Sequence, residues 1–259
     1  MATPTPPAAF SLAVVTLYAA LTAAGMLAGV WLMRRYESWA TRHTGELIAF
    51  AAGLLVSGAL LHFVEQAARL AGTGPALTWT LVAFLVLYVA EAHVLPHSHE
   101  RAPADAAHGT EPSGRRTLGP MVVGGLGLHS IVDGISVGAG FSAGPVFGWV
   151  ALALVAAHKL PEGIAAMSAL YTSGYSGRAA ALTTSVLALI SPAAVLLSFL
   201  LIPGIDARAL GILLALTGGA FLYVGAADLL PEGQARSRPG NTVLFLVGVA
   251  AMVGVKFLE

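Results

Sequence analysis

The sequence predicts an all-α membrane protein, in which eight transmembrane helices form one domain. Its composition is 57% hydrophobic and only 10% charged, with a mean hydropathy of +0.81. A soluble domain has about 25% charged residues, so this chain has too little charge to cover a soluble surface of its size. Thirty glycines suit closely packed membrane helices, since small residues let backbones approach.

Eight segments reach the roughly 20 largely apolar residues that a bilayer requires. They run over 10–33, 45–71, 76–96, 119–141, 145–171, 178–203, 207–231 and 240–258. Turn signals lie between them at 72–75 (GTGP), 142–145 (SAGP), 173–177 (SGYSG), 203–206 (PGID) and 237–240 (SRPG). The hydrophilic stretch 97–118 is too polar to pack and predicts a flexible loop. We therefore expect residues 1–259 to form a single transmembrane domain. The opening MATPTPPAAF has no basic residue, so we expect the first segment to be a retained span rather than a cleaved signal.

The distribution of arginine predicts the orientation of the chain. The odd-numbered loops carry nine arginines and the even-numbered loops carry two, and basic residues favour the cytosolic side. The nine are Arg34, Arg35, Arg42, Arg101, Arg115, Arg116, Arg178, Arg236 and Arg238, and the two are Arg69 and Arg208. We therefore expect cytosolic odd-numbered loops, both termini outside, and a multi-pass protein of the cell (inner) membrane whose partner is the lipid bilayer.

Composition excludes sites that need cysteine and gives no support for nucleic-acid binding. The chain has no cysteine, so a disulfide framework, an iron–sulfur cluster or a thiolate metal site is impossible. Its formal net charge is zero, which gives no electrostatic case for a nucleic-acid partner.

Spans 4 and 5 carry one repeated motif, HSIVDGI and HKLPEGI. Positions i and i+4 share a helix face, so His129 points with Asp133, and His158 with Glu162. A short turn makes the two spans antiparallel neighbours. Centring the motifs on each other brings Asp133 level with His158, and His129 level with Glu162. Two imidazoles and two carboxylates around one point suit zinc, and also iron, manganese or cobalt. The alternative is a purely structural role, in which these groups hydrogen-bond one another and only hold the bundle together.

The same stretch contains Pro161, which cannot donate a backbone hydrogen bond and leaves a carbonyl free near Ala157. Irregular helix at membrane depth is tolerated where it lines a cavity, and broken helices mark binding sites in transporters. A simple packing kink is the alternative for this proline alone.

Segments 2 and 7 also resemble each other, with His62 and Glu65 in one and Asp228 and Glu232 in the other. The assigned orientation places the first pair near the outer end and the second near the cytosolic end, as an entrance and an exit would be. Solvation at helix ends is the alternative. The similarity indicates that segments 1–3 and 6–8 are inverted repeats around the central pair, a 3+2+3 bundle.

Histidines are concentrated at the end of span 3 and in the loop that follows. Glu91 and His93 lie on the cytosolic half of the span. A histidine-rich tract can bind metal, although incidental histidines in a solvated loop are the alternative. The loop histidines are His97, His99 and His108.

With these motifs in view, the chain resembles the ZIP (Zrt-, Irt-like) metal-ion transporters over nearly its whole length. The specific part is HSIVDG and HKLPEG. The resemblance implies uptake of zinc or a related divalent metal into the cytosol without ATP. It also implies a transport site of His129, Asp133, His158 and Glu162, and in many members a homodimer. The ion is then cargo rather than cofactor, with iron, manganese, cobalt and cadmium as further candidates.

This sequence departs from the family pattern at a second, adjacent metal site that some members have. The corresponding positions hold Ser130 and Lys159, and span 6 has no acid. An ammonium there repels a cation, so we expect a single metal. A thioether present near Leu54 and Leu55 in some relatives is also missing, which leaves the metal preference open.

Two other functions compete with transport. An intramembrane zinc hydrolase also needs histidine and acid ligands, but it requires an open coordination position and usually a separate general base. Here both acids complete the shell, and HExxH does not occur. A metal sensor or scaffold is the other alternative. We expect a transporter that is not an enzyme.

Overall fold

The computed structural model describes residues 12–93, 113–202, 204–234 and 239–257, and within these ranges the chain folds into eight helical segments joined by short connections. The segments are α1 (Leu12–Arg35), α2 (Glu37–Ala71), α3 (Thr73–His93), α4 (Ser113–Ala143), α5 (Pro145–Thr172), α6 (Gly177–Leu201), α7 (Ala207–Gln234) and α8 (Pro239–Lys256).

Six of the segments are long and apolar enough to cross a membrane, judged by length and composition over the described residues. They are α1, α2, α3, α5, α6 and α7, and α8 is a shorter apolar helix. The helical fold with these spans fits the membrane protein that the composition predicts. The helix of α2 begins at Glu37, eight residues before its apolar window, because Ala40 and Thr44 already face the interior.

Three helices are irregular near their middles. In α2 a π-helical turn covers Ala59–Val64, and in α7 another covers Val224–Leu229. A π-turn inserts one extra residue into the helical ladder, and such turns are frequent at functional sites. In α6 the helix is interrupted at 188–189, where Pro192 cannot donate a hydrogen bond to the carbonyl of Ala188.

The helices pack in parallel pairs, α1 with α5, α4 with α6, α2 with α8, and α3 with α7. The central helices α4 and α5 pack antiparallel, as do α2 and α7. If α1, α2 and α3 are exchanged with α6, α7 and α8, respectively, and α4 with α5, each parallel pair becomes another parallel pair and each antiparallel pair maps onto itself. This is the pattern that an inverted repeat around α4 and α5 requires, and both π-turns lie in helices that exchange with each other.

Glycines allow the parallel pairs to approach closely. A Cβ at Gly29 of α1 would lie 2.5 Å from the carbonyl oxygen of Leu160 in α5, nearer than real Cβ contacts come. Gly53 of α2 meets the backbone of Phe245 in α8 in the same way. Such backbone contact replaces the hydrophobic driving force that lipid does not provide between helices.

Candidate metal site

The facing motifs of α4 and α5 bring four side chains together. His129, Asp133, His158 and Glu162, hereafter the His–acid quartet, offer ligand atoms that all lie within 4.8 Å of one another. The two Nε2 atoms are 3.1 Å apart, and each is 3.3 Å from Oδ2 of Asp133. Oε2 of Glu162 is 3.9 Å from each Nε2. The i, i+4 spacing aims each pair inward, and the antiparallel crossing of the helices makes the pairs meet.

The quartet lies deep in the bundle. Asp133 and His158 are buried, with 0% and 2% of the residue exposed, whereas His129 and Glu162 are partly exposed. Oδ1 of Asp133 is buried and has no hydrogen-bond partner within the described part of the chain. A buried polar atom without a partner is costly, so this oxygen is suited to a ligand such as a metal ion.

A backbone contact orients His158. Its Nδ1 lies 2.8 Å from the carbonyl oxygen of Leu154, one turn earlier on α5. A carbonyl can only accept, so Nδ1 carries the proton and Nε2 presents its lone pair to the quartet. Outer hydrogen bonds of this kind fix the tautomer of metal-binding histidines.

Lys159 adds a cation beside the quartet. Its Nζ is 2.8 Å from Oδ2 of Asp133 and 2.8 Å from Oε2 of Glu162, and it donates to Oγ of Ser130 at 2.8 Å. The lysine is 1% exposed, so the ammonium is compensated entirely inside the protein. One ammonium therefore pairs with both acids of the quartet, from one side of the site.

A cleft leads from the quartet to one end of the bundle and contains about 900 Å³ of empty space, part of it open to the exterior. On α4 its lining precedes His129, and on α5 it follows His158, so it opens at the end where α4 begins and α5 ends. Asp228 and Glu232, from the π-turn of α7 and the turn after it, line this cleft together with three members of the quartet. The structure thus brings the second predicted acid pair into the same space as the central site.

Among the described residues, the opposite side of the quartet is closed by the apolar core. The next turns of α4 and α5 carry buried Val137 and Leu154, and Phe221 of α7 packs against the ring of His158 at 6.4 Å. Phe221 in turn meets Phe63 of α2 edge to face at 5.4 Å. The quartet consequently communicates with one end of the bundle in this conformation.

The first predicted pair lies on that closed side, away from the cleft. His62 is in the π-turn of α2, fully buried, with Nε2 3.2 Å from the carbonyl oxygen of Met252 in α8. Glu65 forms ion pairs with Arg69 and, at 2.8 Å, with Lys256. Both side chains therefore contact polar groups outside the quartet, and α8 holds both of them.

The predicted residues around the third loop are outside the described side chains. Glu91 and His93 belong to the last turn of α3, of which only the backbone is described. His97, His99 and His108 lie outside the described residues.

Comparison with known proteins decides the family. The family model described as ZIP Zinc transporter matches residues 88–256, well over half of the chain. This chain belongs to the ZIP family. The matched region contains α4, α5 and α7, and with them the quartet, Lys159 and the acidic pair of the cleft.

Several ZIP relatives are zinc transporters of animals. Zinc transporter ZIP4 of Homo sapiens is 31% identical over 169 residues, which are 61% of this chain and 26% of that protein. Zinc transporter zipt-7.1 of Caenorhabditis briggsae is 33% identical over 107 residues, 40% of this chain and 27% of that protein. Zinc transporter ZIP6 of Homo sapiens is 30% identical over 138 residues, 53% and 18% respectively. The chain thus spans about a quarter or less of the length of these curated relatives.

Two contacts of the ZIP site were not foreseen from the sequence. The link from Lys159 to Glu162 follows from i, i+3 spacing on a helix, so the signal was present. The carbonyl of Leu154 carries no such signal, because every residue has one. Its role depends on the rotamer of His158.

Proposed function

We propose that this chain carries a divalent metal ion, zinc before others, across the membrane into the cytosol without ATP. The observation that carries the proposal is the His–acid quartet, buried in a helical bundle and joined to one end by a cleft. Membership of the ZIP family and the names of its relatives support zinc as the cargo.

The chemistry of the quartet suits such a cargo. Two imidazole nitrogens and two carboxylate oxygens form the four-coordinate shell that Zn²⁺ prefers. Asp133 and Glu162 supply two negative charges, one of which offsets Lys159, so a bound divalent ion leaves the site at a net charge of +1 instead of +3, which lowers the cost of holding the ion in a low-dielectric interior. Iron, manganese, cobalt and cadmium accept the same donor types, so discrimination among them is a matter of geometry.

We propose further that the site holds one metal. Where some relatives have ligands for a second ion, Lys159 donates to Ser130 and pairs with both acids of the quartet. A second divalent ion there would meet an ammonium in place of a ligand. Lys159 also stabilises the two carboxylates when the metal has left, which supports release.

The route that we propose follows the polar residues. Asp228 and Glu232 accept the ion on its way out through the cleft, and His62 and Glu65 mark the entrance at the other end. Glu91 and His93 extend the exit at the end of α3. The metal is then received on the cytosolic side by three histidines of the following loop, His97, His99 and His108. In this conformation α8 holds the entrance pair, so the entrance must be released when the protein opens to the other side.

The membrane topology is part of the same proposal. All eight helices span the cell (inner) membrane, with both termini outside and the cleft open to the cytosol. The distribution of nine and two arginines supports this orientation. A homodimer rests on the family resemblance alone.

Metal uptake into proteoliposomes tests the function. Purified wild-type protein should take up zinc along its gradient without ATP, and His158→Ala should reduce the initial rate at least tenfold. His43→Ala is the matched control, because His43 lies in the first turns of α2, stacks on Trp39 and is not among the residues that line the cleft. Competition of iron, manganese, cobalt and cadmium with zinc uptake shows which ion the protein prefers.

Three results would argue against this proposal. Tight zinc binding without any flux in the wild type would indicate a sensor or scaffold. Equal rates for wild type and His158→Ala would remove the quartet from the pathway. Zinc-dependent peptide cleavage would revive the intramembrane hydrolase, which no feature of the described structure favours.

A further inference from the structure

Exposed aromatic and basic side chains meet where α1 turns into α2. We call this the α1–α2 corner, and its residues are Trp31, Arg34, Arg35, Tyr36 and Trp39. A single residue, Tyr36, separates the two helices, so the last turn of α1 and the first turn of α2 form one compact surface. The three aromatic rings are 46% to 58% exposed. They therefore face the surroundings of the bundle instead of its core.

Among the residues that the structure describes, the two guanidinium groups of the corner have no acidic partner. Within the described residues, neither Arg34 nor Arg35 comes within 4 Å of a carboxylate, and the Cζ of Arg35 lies 5.0 Å over the ring of Tyr36. Tyr36 also meets Trp31 edge to face at 5.6 Å. Glu37 is the acid of the first turn of α2. The corner is therefore positively charged, and its aromatic rings hold one arginine in place.

The opposite end of the bundle is a natural comparison, because it also carries two exposed tryptophans. Trp79 and Trp149 lie near the starts of α3 and α5 and are 39% and 52% exposed. Of the basic residues found there, Arg69 and Lys256 both pair with Glu65, and Arg208 is a single guanidinium in the first turn of α7. Tryptophans thus mark both ends, whereas two neighbouring guanidiniums without an acidic partner among the described residues mark the α1–α2 corner.

We propose that the α1–α2 corner binds the phosphate of anionic phospholipid headgroups. Tryptophan and tyrosine rings sit at headgroup level in membrane proteins, which places the adjacent arginines at the depth of the lipid phosphates. A guanidinium forms two parallel, charge-assisted hydrogen bonds to a phosphate. The attraction of one arginine to an anionic lipid surface strengthens the contact about fivefold. This interaction does not depend on what the protein transports.

Quenching of tryptophan fluorescence by brominated lipid tests the proposal with two reporters built from the chain itself. Trp79→Phe with Trp149→Phe leaves the corner tryptophans, and Trp31→Phe with Trp39→Phe leaves those of the other end. Each reporter is placed in phosphatidylcholine bilayers that contain 10% of a brominated lipid, either phosphatidylglycerol or phosphatidylcholine. We expect brominated phosphatidylglycerol to be enriched at least fivefold around the corner reporter, and less than twofold around the other.

Removing the two arginine charges of the corner is the second test. Adding Arg34→Gln and Arg35→Gln to the corner reporter should reduce the enrichment below twofold, and adding Arg69→Gln should leave it unchanged. If the arginine variant does not fold, salt provides the same test, because raising sodium chloride from 0.05 to 0.5 M should weaken the enrichment severalfold. Equal enrichment at both ends, or enrichment that survives charge removal and salt, would overturn the proposal. So would a loss of enrichment on adding 10 mM inorganic phosphate at constant ionic strength, which would show a site for free phosphate.

Discussion

Replacing Lys159 with methionine should tighten zinc binding and slow transport. In the structure this ammonium lies 2.8 Å from a carboxylate oxygen of each quartet acid. Methionine keeps the length and apolar character of the stem but removes the charge. The substitution therefore frees both carboxylates for the metal and eliminates a repulsive neighbour.

The size of the effect follows from the distances. Zinc binds carboxylate oxygens at about 2 Å. An ion on the two acids would thus lie about 4 Å from Nζ of Lys159. Two unit charges at that separation interact with about 4 kcal/mol at an effective dielectric constant of about 20, so a divalent ion is repelled by about 8 kcal/mol. The flexible lysine stem can retreat toward Ser130, which makes this an upper bound. Even a quarter of it, about 2 kcal/mol, corresponds to roughly 30-fold in affinity.

Competitive calorimetry with a zinc chelator measures the change, and thermal unfolding supplies a second readout. We expect Lys159→Met to bind zinc at least 30-fold more tightly and to take it up more slowly, because release becomes limiting. Without metal the variant should melt earlier, since removing one partner of a buried ion pair costs about 3–5 kcal/mol. Added zinc should restore its stability. The matched control for zinc affinity is Lys256→Met, which removes the other lysine, 2.8 Å from Glu65 and outside the quartet.

An unchanged or weaker zinc affinity in Lys159→Met would refute the electrostatic reasoning. It would mean that the lysine turns away from the site whenever metal binds. A variant that takes up two zinc ions instead would show that the ammonium excludes a second metal without weakening the first.

Three further predictions concern packing, protons and the cleft. Gly29→Ala should lower stability by about 1–3 kcal/mol in thermal unfolding, because the new methyl group meets the backbone of Leu160, whereas Gly124→Ala, with nothing within 4 Å, should not. Zinc affinity should fall at least tenfold between pH 8 and pH 5.5, since metal needs neutral imidazoles and ionised acids; a flat titration curve would contradict ligation by the quartet. Asp228→Asn combined with Glu232→Gln should reduce zinc flux at least fivefold and leave equilibrium binding at the quartet within twofold; intact flux would remove these acids from the route.

Periodicity and motif spacing were sufficient to predict the centre of this fold. The i, i+4 spacing of each His–acid pair and the short turn at 144 predicted that four side chains from two helices converge, and the structure brings them within 4.8 Å. This succeeded because helical geometry fixes the direction of a side chain from its position alone. The same reasoning predicted helical segments from apolar windows, since a bilayer demands their length.

Irregular backbone and side-chain partners were not predictable in the same way. The π-turns at Ala59–Val64 and Val224–Leu229 have no composition that distinguishes them from ordinary helix. Their existence depends on how α2 and α7 cross. The bond from His62 to the carbonyl of Met252 joins residues 190 positions apart, and only tertiary packing can bring them together. Hydropathy also placed the start of the second span at 45, eight residues too late. The first turns of α2 are polar, so an apolar window does not detect them, and they are helical because Ala40 packs in the interior.

Anomalous scattering from zinc-bound crystals tests the proposed single-metal site most directly. We expect one zinc peak per chain, bounded by His129, Asp133, His158 and Glu162, and no peak there in His158→Ala. Two adjacent peaks in the wild type would contradict the single-metal site. A zinc peak elsewhere in the bundle, with the quartet empty, would contradict the assignment of the quartet as the transport site.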